Sequence, residues 1–174
     1  MGSVYIFRGI AGTGKTTLSN ALAKKLSIPV FRKDDIVDAL KMTEETDTRL
    51  INNTVCYNIL YKMIQTNLDF HVDFIMDIAL GDKKNTNWFF DRLDFNDNRV
   101  FRFVTVCSDE NEWKRRHDER IRNPLPNQVF NSFEHVKAHY KNADTTPFED
   151  EYLIDTAESI KKCMKNILEI INVV

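Results

Sequence analysis

The chain has 174 residues, of which 43% are hydrophobic, and this length favours one domain with a sizeable core over two. A formal net charge of -2 provides no basic field for nucleic acid, and no apolar run approaches the roughly 20 residues that span a bilayer. We therefore expect a single cytoplasmic domain over residues 1–174, with no membrane partner. The separated cysteines Cys56, Cys107 and Cys163 lack metal-binding spacing and are expected to be reduced.

Hydrophobic periodicity predicts strands that alternate with helices along the chain. Near-continuous β-branched and aromatic runs indicate buried strands at residues 4–8, 29–32, 74–77, 100–106 and 152–155. Apolar residues that recur every three or four positions predict helices at residues 15–26, 35–41, 47–68, 86–93, 110–122, 133–140 and 157–171, with a loop at 43–46. This alternation predicts an α/β fold with a parallel sheet covered by helices on both faces.

The first predicted strand runs into a glycine-rich segment that satisfies the pattern GxxxxGK[ST]. Its glycines let backbone N–H groups form an anion nest, and the N-terminus of the next helix adds further donors. We expect Lys15 to reach the β- and γ-phosphates of ATP and the Thr16 hydroxyl to ligate Mg²⁺, with Thr17 at most auxiliary. The predicted nucleotide-binding residues are Gly9, Ala11, Gly12, Thr13, Gly14, Lys15, Thr16 and Thr17.

Carboxylates follow two predicted strands, at the edge where open α/β sheets bind ligands. One of Asp34 and Asp35 is expected to be the general base for an acceptor hydroxyl while the other caps a helix, and we favour Asp34 as the base. Asp77 is expected to face either Mg²⁺, alongside Thr16, or the acceptor, and a strand-end cap is the alternative. The chain has no glutamate next to Asp77 and no Asn-Lys-x-Asp run, which argues against a motor and a GTP switch.

The predicted helix at residues 110–122 carries four arginines before a proline-rich break. Arg116 and Arg120 are four residues apart and therefore share one helical face. We expect this pair to grip phosphates from a lid, at about residues 115–130, that closes over the site and excludes water. Surface pairing with neighbouring acids is the alternative, and it is the expected state of Arg115 and Arg122.

These motifs resemble those of small P-loop kinases, a group with AAA-type and zeta-like members and the kinase domain of phage-type 5'-hydroxyl polynucleotide kinases. The resemblance covers nearly the whole chain in layout, through the P-loop, the Arg-Lys-Asp-Asp run after the second strand, the strand that ends in Asp77, and Arg116-x-x-x-Arg120. It implies a three-layer P-loop NTPase fold with a five-stranded parallel sheet of order 2-3-1-4-5. It also implies that Asp34 is the general base, Asp77 a substrate-side or Mg²⁺-side acid, and the two arginines the catalytic lid pair.

One departure from the polynucleotide kinases concerns the acceptor. Val37, followed by Asp38, stands where those enzymes carry an arginine that reads the acceptor's phosphate. The sequence therefore favours a small neutral or cationic acceptor over a nucleic acid. Asn53, Tyr57 and Tyr61 of the long predicted helix are candidates to line the acceptor pocket.

The sequence thus predicts an ATP- and Mg²⁺-dependent kinase that transfers the γ-phosphate of ATP to a hydroxyl of a small-molecule acceptor. The expected catalytic residues are Lys15, Asp34, Arg116 and Arg120. A 5'-hydroxyl polynucleotide kinase is the alternative enzyme. An ATP-binding regulatory protein with little or no transfer activity is the alternative of another class.

Overall fold

The structure, a computed structural model, describes residues 1–41, 53–124 and 127–173. Its strands are β1 (Ser3–Arg8), β2 (Val30–Arg32), β3 (Phe74–Ile78), β4 (Arg99–Val106) and β5 (Glu151–Asp155). Its helices are α1 (Lys15–Leu26), α2 (Lys33–Lys41), α3 (Asn53–Asp69), α4 (Lys83–Phe90), α5 (Glu110–Arg122), α6 (Phe133–Tyr140) and α7 (Ile160–Val173). The five strands form one parallel sheet in the order β2-β3-β1-β4-β5, which confirms the predicted fold class and strand order.

The central strand β1 divides the hydrophobic core into two halves, because successive side chains of a strand point to opposite faces. Val4 and Ile6 pack on one face with buried side chains of α3 and α4. Tyr5 and Phe7 pack on the other face with α1 and α7. The carboxyl end of β1, where the glycine-rich segment begins, is therefore anchored from both sides.

Three described helices begin at residues other than those predicted, and α7 starts at Ile160 rather than at residue 157. The helix α4 starts at Lys83 rather than at residue 86, because the Asp82 side chain caps it by accepting a hydrogen bond from the Lys84 N–H at 2.8 Å. The helix α2 starts at Lys33, so Asp34 and Asp35 lie inside its first turn and the predicted capping role is wrong. Negative charge in a first turn still stabilises a helix, because it faces the positive end of the helix dipole.

Three predictions lie wholly or partly outside the described residues. These are the loop at 43–46, the first turns of the helix predicted at 47–68, and positions 125 and 126 of the proposed lid. The described part of the long helix is α3. Across the described ranges, none of the helices has both the length and the apolar character needed to cross a membrane.

A fully buried ion pair lies at the end of β1. The Arg8 guanidinium donates to both carboxylate oxygens of Glu151, at 2.7 and 2.6 Å, and both side chains are 0% exposed. It also donates to the carbonyl oxygens of Gly81 at 3.1 Å and Thr146 at 2.8 Å. Because a buried charge is tolerated only with such partners, this pair fixes the end of β1 to the start of β5 and to the loop after β3.

Replacing Glu151 with Gln should lower the free energy of unfolding by about 3–5 kcal/mol, because the Arg8 charge stays buried without its counterion. Urea unfolding followed by circular dichroism measures this loss. The control Glu169→Gln removes an exposed pair with Lys165 and should change stability by less than about 1 kcal/mol. Equal losses in the two variants would contradict a special role for the buried pair.

Candidate active site

The segment between β1 and α1 forms a cradle of backbone N–H groups. Gly9, Gly12 and Gly14 have φ angles of 149°, 78° and 82°, a region that favours glycine. Gly14 precedes α1 without a side-chain cap, so the first N–H groups of the helix are left for a ligand. The sequence-predicted cradle therefore has the backbone conformation of an anion site.

Lys15 lies in this cradle with only 7% of its surface exposed. Its Nζ donates to the carbonyl oxygen of Ile10 at 2.8 Å. Burial lowers the pKa of the Lys15 ammonium, and the carboxylates of Asp77 and Asp34 oppose that shift. The nearby Arg120 adds to the lowering, so one lysine, one arginine and two carboxylates act on each other around the loop.

Thr16 and Asp77 flank the position predicted for a divalent cation. Thr16 is exposed on the first turn of α1 and lines the cleft. Asp77 is 5% exposed, and its Oδ2 accepts a hydrogen bond from the Ser19 hydroxyl at 3.1 Å and lies 3.5 Å from Arg32 Nε. The Asp77 carboxylate is therefore held in place by α1 and β2, and it shares the cleft with the Thr16 hydroxyl.

The structure distinguishes the two candidate general bases. Asp34 lines the cleft, where its Oδ1 lies 3.6 Å from the Lys33 Nζ. The Asp35 carboxylate is 59% exposed and pairs with Arg32 instead. Asp34 is thus the member of the pair that borders the cleft.

Two ring N–H groups from α5 hold the P-loop from outside. Trp113 Nε1 donates to the Ala11 carbonyl oxygen at 2.8 Å, and His117 Nε2 donates to the same oxygen at 3.2 Å. Burial lowers the pKa of the His117 imidazole, and the bond to Ala11 opposes that shift. From β5, the Thr156 hydroxyl lies 3.0 Å from the Thr13 carbonyl oxygen. The cradle is therefore clamped by α5 on one side and β5 on the other.

The predicted lid arginines both line the cleft but have different partners. Arg116 donates to the Thr156 hydroxyl and carbonyl oxygens at 2.8 and 2.6 Å, and to Glu112 at 2.8 Å. Arg120 donates to Asn127 Oδ1 at 2.7 Å, while its buried Nε has no partner among the described residues. Buried donors without a partner are uncommon, and this guanidinium keeps one hydrogen-bonding group that the described residues do not use.

The flanking arginines differ from that pair. Arg115 is bonded to Glu112 and Glu119 on the surface of α5, and Arg122 is exposed. This arrangement agrees with the surface placement expected for both residues.

One large cleft of about 1590 Å³ lies at the carboxyl edge of the sheet, and it is bordered by Lys15, Thr16, Asp34, Asp77, Arg116 and Arg120. Tyr57 lines the cleft, as expected. Tyr61 instead packs against Arg92, with 4.7 Å from the ring centroid to the guanidinium carbon, and the Asn53 side chain lies outside the described part of the structure. Within the described ranges, no cluster of three or more His, Cys, Asp or Glu residues forms a separate metal site.

Sequence reasoning missed the clamp residues Trp113, His117 and Thr156. Thr156 directly follows β5. Because ligands bind at the carboxyl ends of parallel strands, this position could have identified Thr156 as a candidate site residue. Trp113 and His117 are four residues apart on a highly charged helix, and this spacing is the available signal for a shared face. Their bonding to Ala11 has no local signature, because 102 and 106 residues separate the partners.

Replacing Gly12 with Ala should weaken ATP binding at least tenfold. A Cβ at this position would come within 2.6 Å of His117 Nε2, and the φ of 78° disfavours a side chain, so the loop must move. Calorimetric titration with ATP measures the affinity, and a thermal melt establishes that the variant is folded. Adding His117→Ala should recover part of the affinity, because it removes the clash, whereas unchanged affinity in Gly12→Ala would contradict the tight clamp.

Comparison with known proteins places this geometry in a family. A family model described as AAA domain matches residues 4–142 of the chain. No curated protein matches the chain.

Solved structures share the fold at low identity. A Chloroflexus aurantiacus protein described provisionally as a kinase is 18% identical over 97% of both chains, with a TM-score of 0.68. A gluconokinase from Sinorhizobium meliloti is 13% identical over 97% of this chain and 90% of its own, with a TM-score of 0.63. The Mycobacterium tuberculosis APS kinase in complex with AMPPNP and APS is 11% identical over 98% of both chains, with a TM-score of 0.66. The chain therefore belongs to the AAA domain family and has the three-layer fold of small P-loop kinases.

Proposed function

We propose that the protein is an ATP-dependent kinase that transfers the γ-phosphate of ATP to a hydroxyl group of a small-molecule acceptor. The observation that carries this proposal is the convergence of Lys15, Asp34 and Arg120 on one cleft at the N-terminus of α1. A phosphate site, a candidate proton acceptor and an arginine with a free buried donor are the groups that phosphoryl transfer requires.

The nucleotide is assigned to the side of the cleft formed by the P-loop, α5 and the residues after β5. The backbone N–H groups of the loop and Lys15 face the phosphates, while Arg115 and Arg116 border the same side. Two kinds of observation support this assignment, namely the glycine conformations and the fold shared with a kinase whose structure contains AMPPNP.

A magnesium ion fits the donor set at Thr16 and Asp77. Mg²⁺ takes oxygen ligands, keeps several waters and needs few groups from the protein, so one hydroxyl and one fixed carboxylate suffice. We propose that the Thr16 hydroxyl would contact the ion directly. The Asp77 carboxylate is already bonded to Ser19 and lies close to Arg32, so we propose that it would lie near the ion without contacting it. When bound, the ion supplies positive charge that offsets the charge of the phosphates.

In the proposed reaction, the oxygen of an acceptor hydroxyl forms a bond to the γ-phosphorus of ATP. The bond from that phosphorus to the ADP oxygen breaks, and the hydroxyl proton passes to the Asp34 carboxylate. Lys15 and Arg120 neutralise charge on the transferring group. The protein's main contribution is the positioning of the two substrates, which a largely preformed cleft provides.

Replacing Lys15 with Ala should weaken ATP binding about tenfold to a hundredfold, because a charge-assisted hydrogen bond contributes about 1.5–3 kcal/mol. Calorimetric titration with ATP and Mg²⁺ measures the change. Lys24→Ala provides a matched control, since Lys24 lies exposed on the same helix. Equal affinity in wild-type protein and Lys15→Ala would contradict the assignment of the phosphate site.

Replacing Asp34 with Asn should leave ATP affinity near normal and reduce transfer by about 10²–10⁴-fold, because general base catalysis is lost. Product formation on a panel of hydroxyl compounds, followed by mass spectrometry, measures transfer, and Asp35→Asn is the matched control. An active Asp34→Asn protein would indicate that Asp35 or Asp77 is the general base. ATP binding without transfer to any compound by the wild type would instead favour an ATP-binding regulatory protein.

A further inference from the structure

The cleft is larger than a single small ligand requires. Pockets for one ligand measure about 300–1,000 Å³, and this cleft measures about 1590 Å³. The proposed nucleotide side accounts for part of its lining. Another part is formed by side chains of α2, α3 and α4 and by residues at and just after the end of α6, and we call it the acceptor wall: Asp34, Tyr57, Asn85, Trp88, Tyr140 and Asn142.

The acceptor wall is one continuous surface that begins at the proposed base. The Lys33 Nζ lies 3.6 Å from Asp34 Oδ1 and 5.5 Å from the centre of the Tyr57 ring. The Tyr57 ring in turn meets the Trp88 ring edge to face, with 6.1 Å between centroids. A molecule that contacts Trp88 therefore also lies beside Tyr57, with the proposed base at the other end of the surface.

The helix α4 presents an aromatic ring and an amide to the cleft. Trp88 is 46% exposed, and Asn85, three residues earlier on the same helical face, is also exposed. The Arg92 guanidinium lies 5.2 Å from the Trp88 ring centre and bonds to Asn58, which supports the ring from the protein side. An open indole face suits the apolar C–H face of a ring compound, and an amide suits its hydroxyls.

The charges on the acceptor wall are balanced by protein partners. Lys33 is paired with Asp34, and both oxygens of the neighbouring Asp82 accept backbone N–H groups of Lys84 and Asp144. Lys33 itself borders the cleft, as does Arg32, which is paired with Asp35 and Asp77. An acceptor with a phosphate or carboxylate would meet the negative charge of Asp34 and would compete with these protein carboxylates for Lys33 and Arg32, which disfavours its binding.

Building on the proposed kinase function, we propose that the acceptor is an uncharged, polyhydroxylated ring compound, as neutral sugars and cyclitols are. Its apolar face stacks on Trp88, Asn85 bonds its hydroxyls, and one hydroxyl points to Asp34. That hydroxyl oxygen bonds to the γ-phosphorus, its proton passes to Asp34, and ADP leaves with the electrons of the broken bond. Aromatic stacking with few polar contacts is the usual chemistry of such pockets.

The test compares neutral acceptors with anionic partners of the same skeleton, in the full-length protein. The panel contains glucose with glucuronate, inositol with inositol monophosphate, and an oligonucleotide with a free 5'-hydroxyl. ADP formation and product mass give kcat/KM for each compound. We expect kcat/KM for a neutral compound to exceed that for its anionic partner at least tenfold, because Lys33 and Arg32, which border the cleft, are already paired with carboxylates.

Variants of α4 test the stacking surface. Trp88→Ala should raise KM for the neutral acceptor at least tenfold with a smaller effect on kcat, and Trp88→Phe should restore most of the affinity. Asn85→Ala should also raise KM, and this exposed position carries little risk of misfolding. Tyr152→Ala is the matched control, because Tyr152 is a similarly exposed aromatic residue, at 41%, on the distant edge strand β5.

The outcomes separate this inference from the proposed function. Preference for an anionic member or for the oligonucleotide overturns the inference and leaves the kinase function standing. Unchanged KM in both Trp88→Ala and Asn85→Ala also overturns it. Transfer to no member of the panel by a protein that binds ATP overturns the kinase function, and the inference with it.

Discussion

The buried contact between Arg8 and Glu151 is the interaction on which both the sheet and the cleft depend. Arg8 directly precedes Gly9, the first residue of the P-loop, and its guanidinium also binds the carbonyl oxygen of Gly81 in the loop after β3. That loop packs so closely on the P-loop that a Cβ at Gly81 would clash with the Ile10 side chain. One desolvated charge therefore sets the position of the phosphate cradle relative to the loop after β3.

Charge is distributed unevenly around this cleft. The basic groups Lys15, Arg116 and Arg120 surround the phosphate cradle, and the first two are bonded to carbonyl or hydroxyl oxygens of the loop or of Thr156. The acceptor wall is mostly aromatic and amide. In the proposed kinase reaction, such a separation would let the strongest electrostatic field act on the transferring group, while shape and stacking would select the second substrate.

Much of the fold could be predicted from the sequence because the decisive signals are local. The glycine pattern ends at Thr16, a strand precedes it and a helix follows, and this context determines both the cradle and the parallel arrangement. Helix starts were less predictable, because a single side chain can decide them. Asp82 caps α4, which therefore starts at Lys83, three residues before the predicted start. Neither acid after β2 caps α2.

The candidate site was predictable only where its residues belong to a motif or follow a strand. Asp34 and Asp77 follow or end strands, so topology alone brings them to the same edge as Lys15. Trp113 reaches the P-loop and Trp88 reaches the cleft through the packing of helices distant in sequence. No pattern within α4 or α5 specifies which loop or ring each indole meets, so their contribution required the three-dimensional structure.

The double hydrogen bond to the Ala11 carbonyl oxygen has a thermodynamic consequence. With two ring N–H donors on one oxygen, the peptide unit between Ala11 and Gly12 has little rotational freedom before any nucleotide arrives. Fixing the backbone of one residue costs roughly 1–2 kcal/mol in conformational entropy. For these loop residues the cost is met when the chain folds, so less of the free energy of nucleotide binding is spent on ordering the loop. We therefore expect Trp113 and His117 of α5 to influence nucleotide affinity through the backbone of the loop.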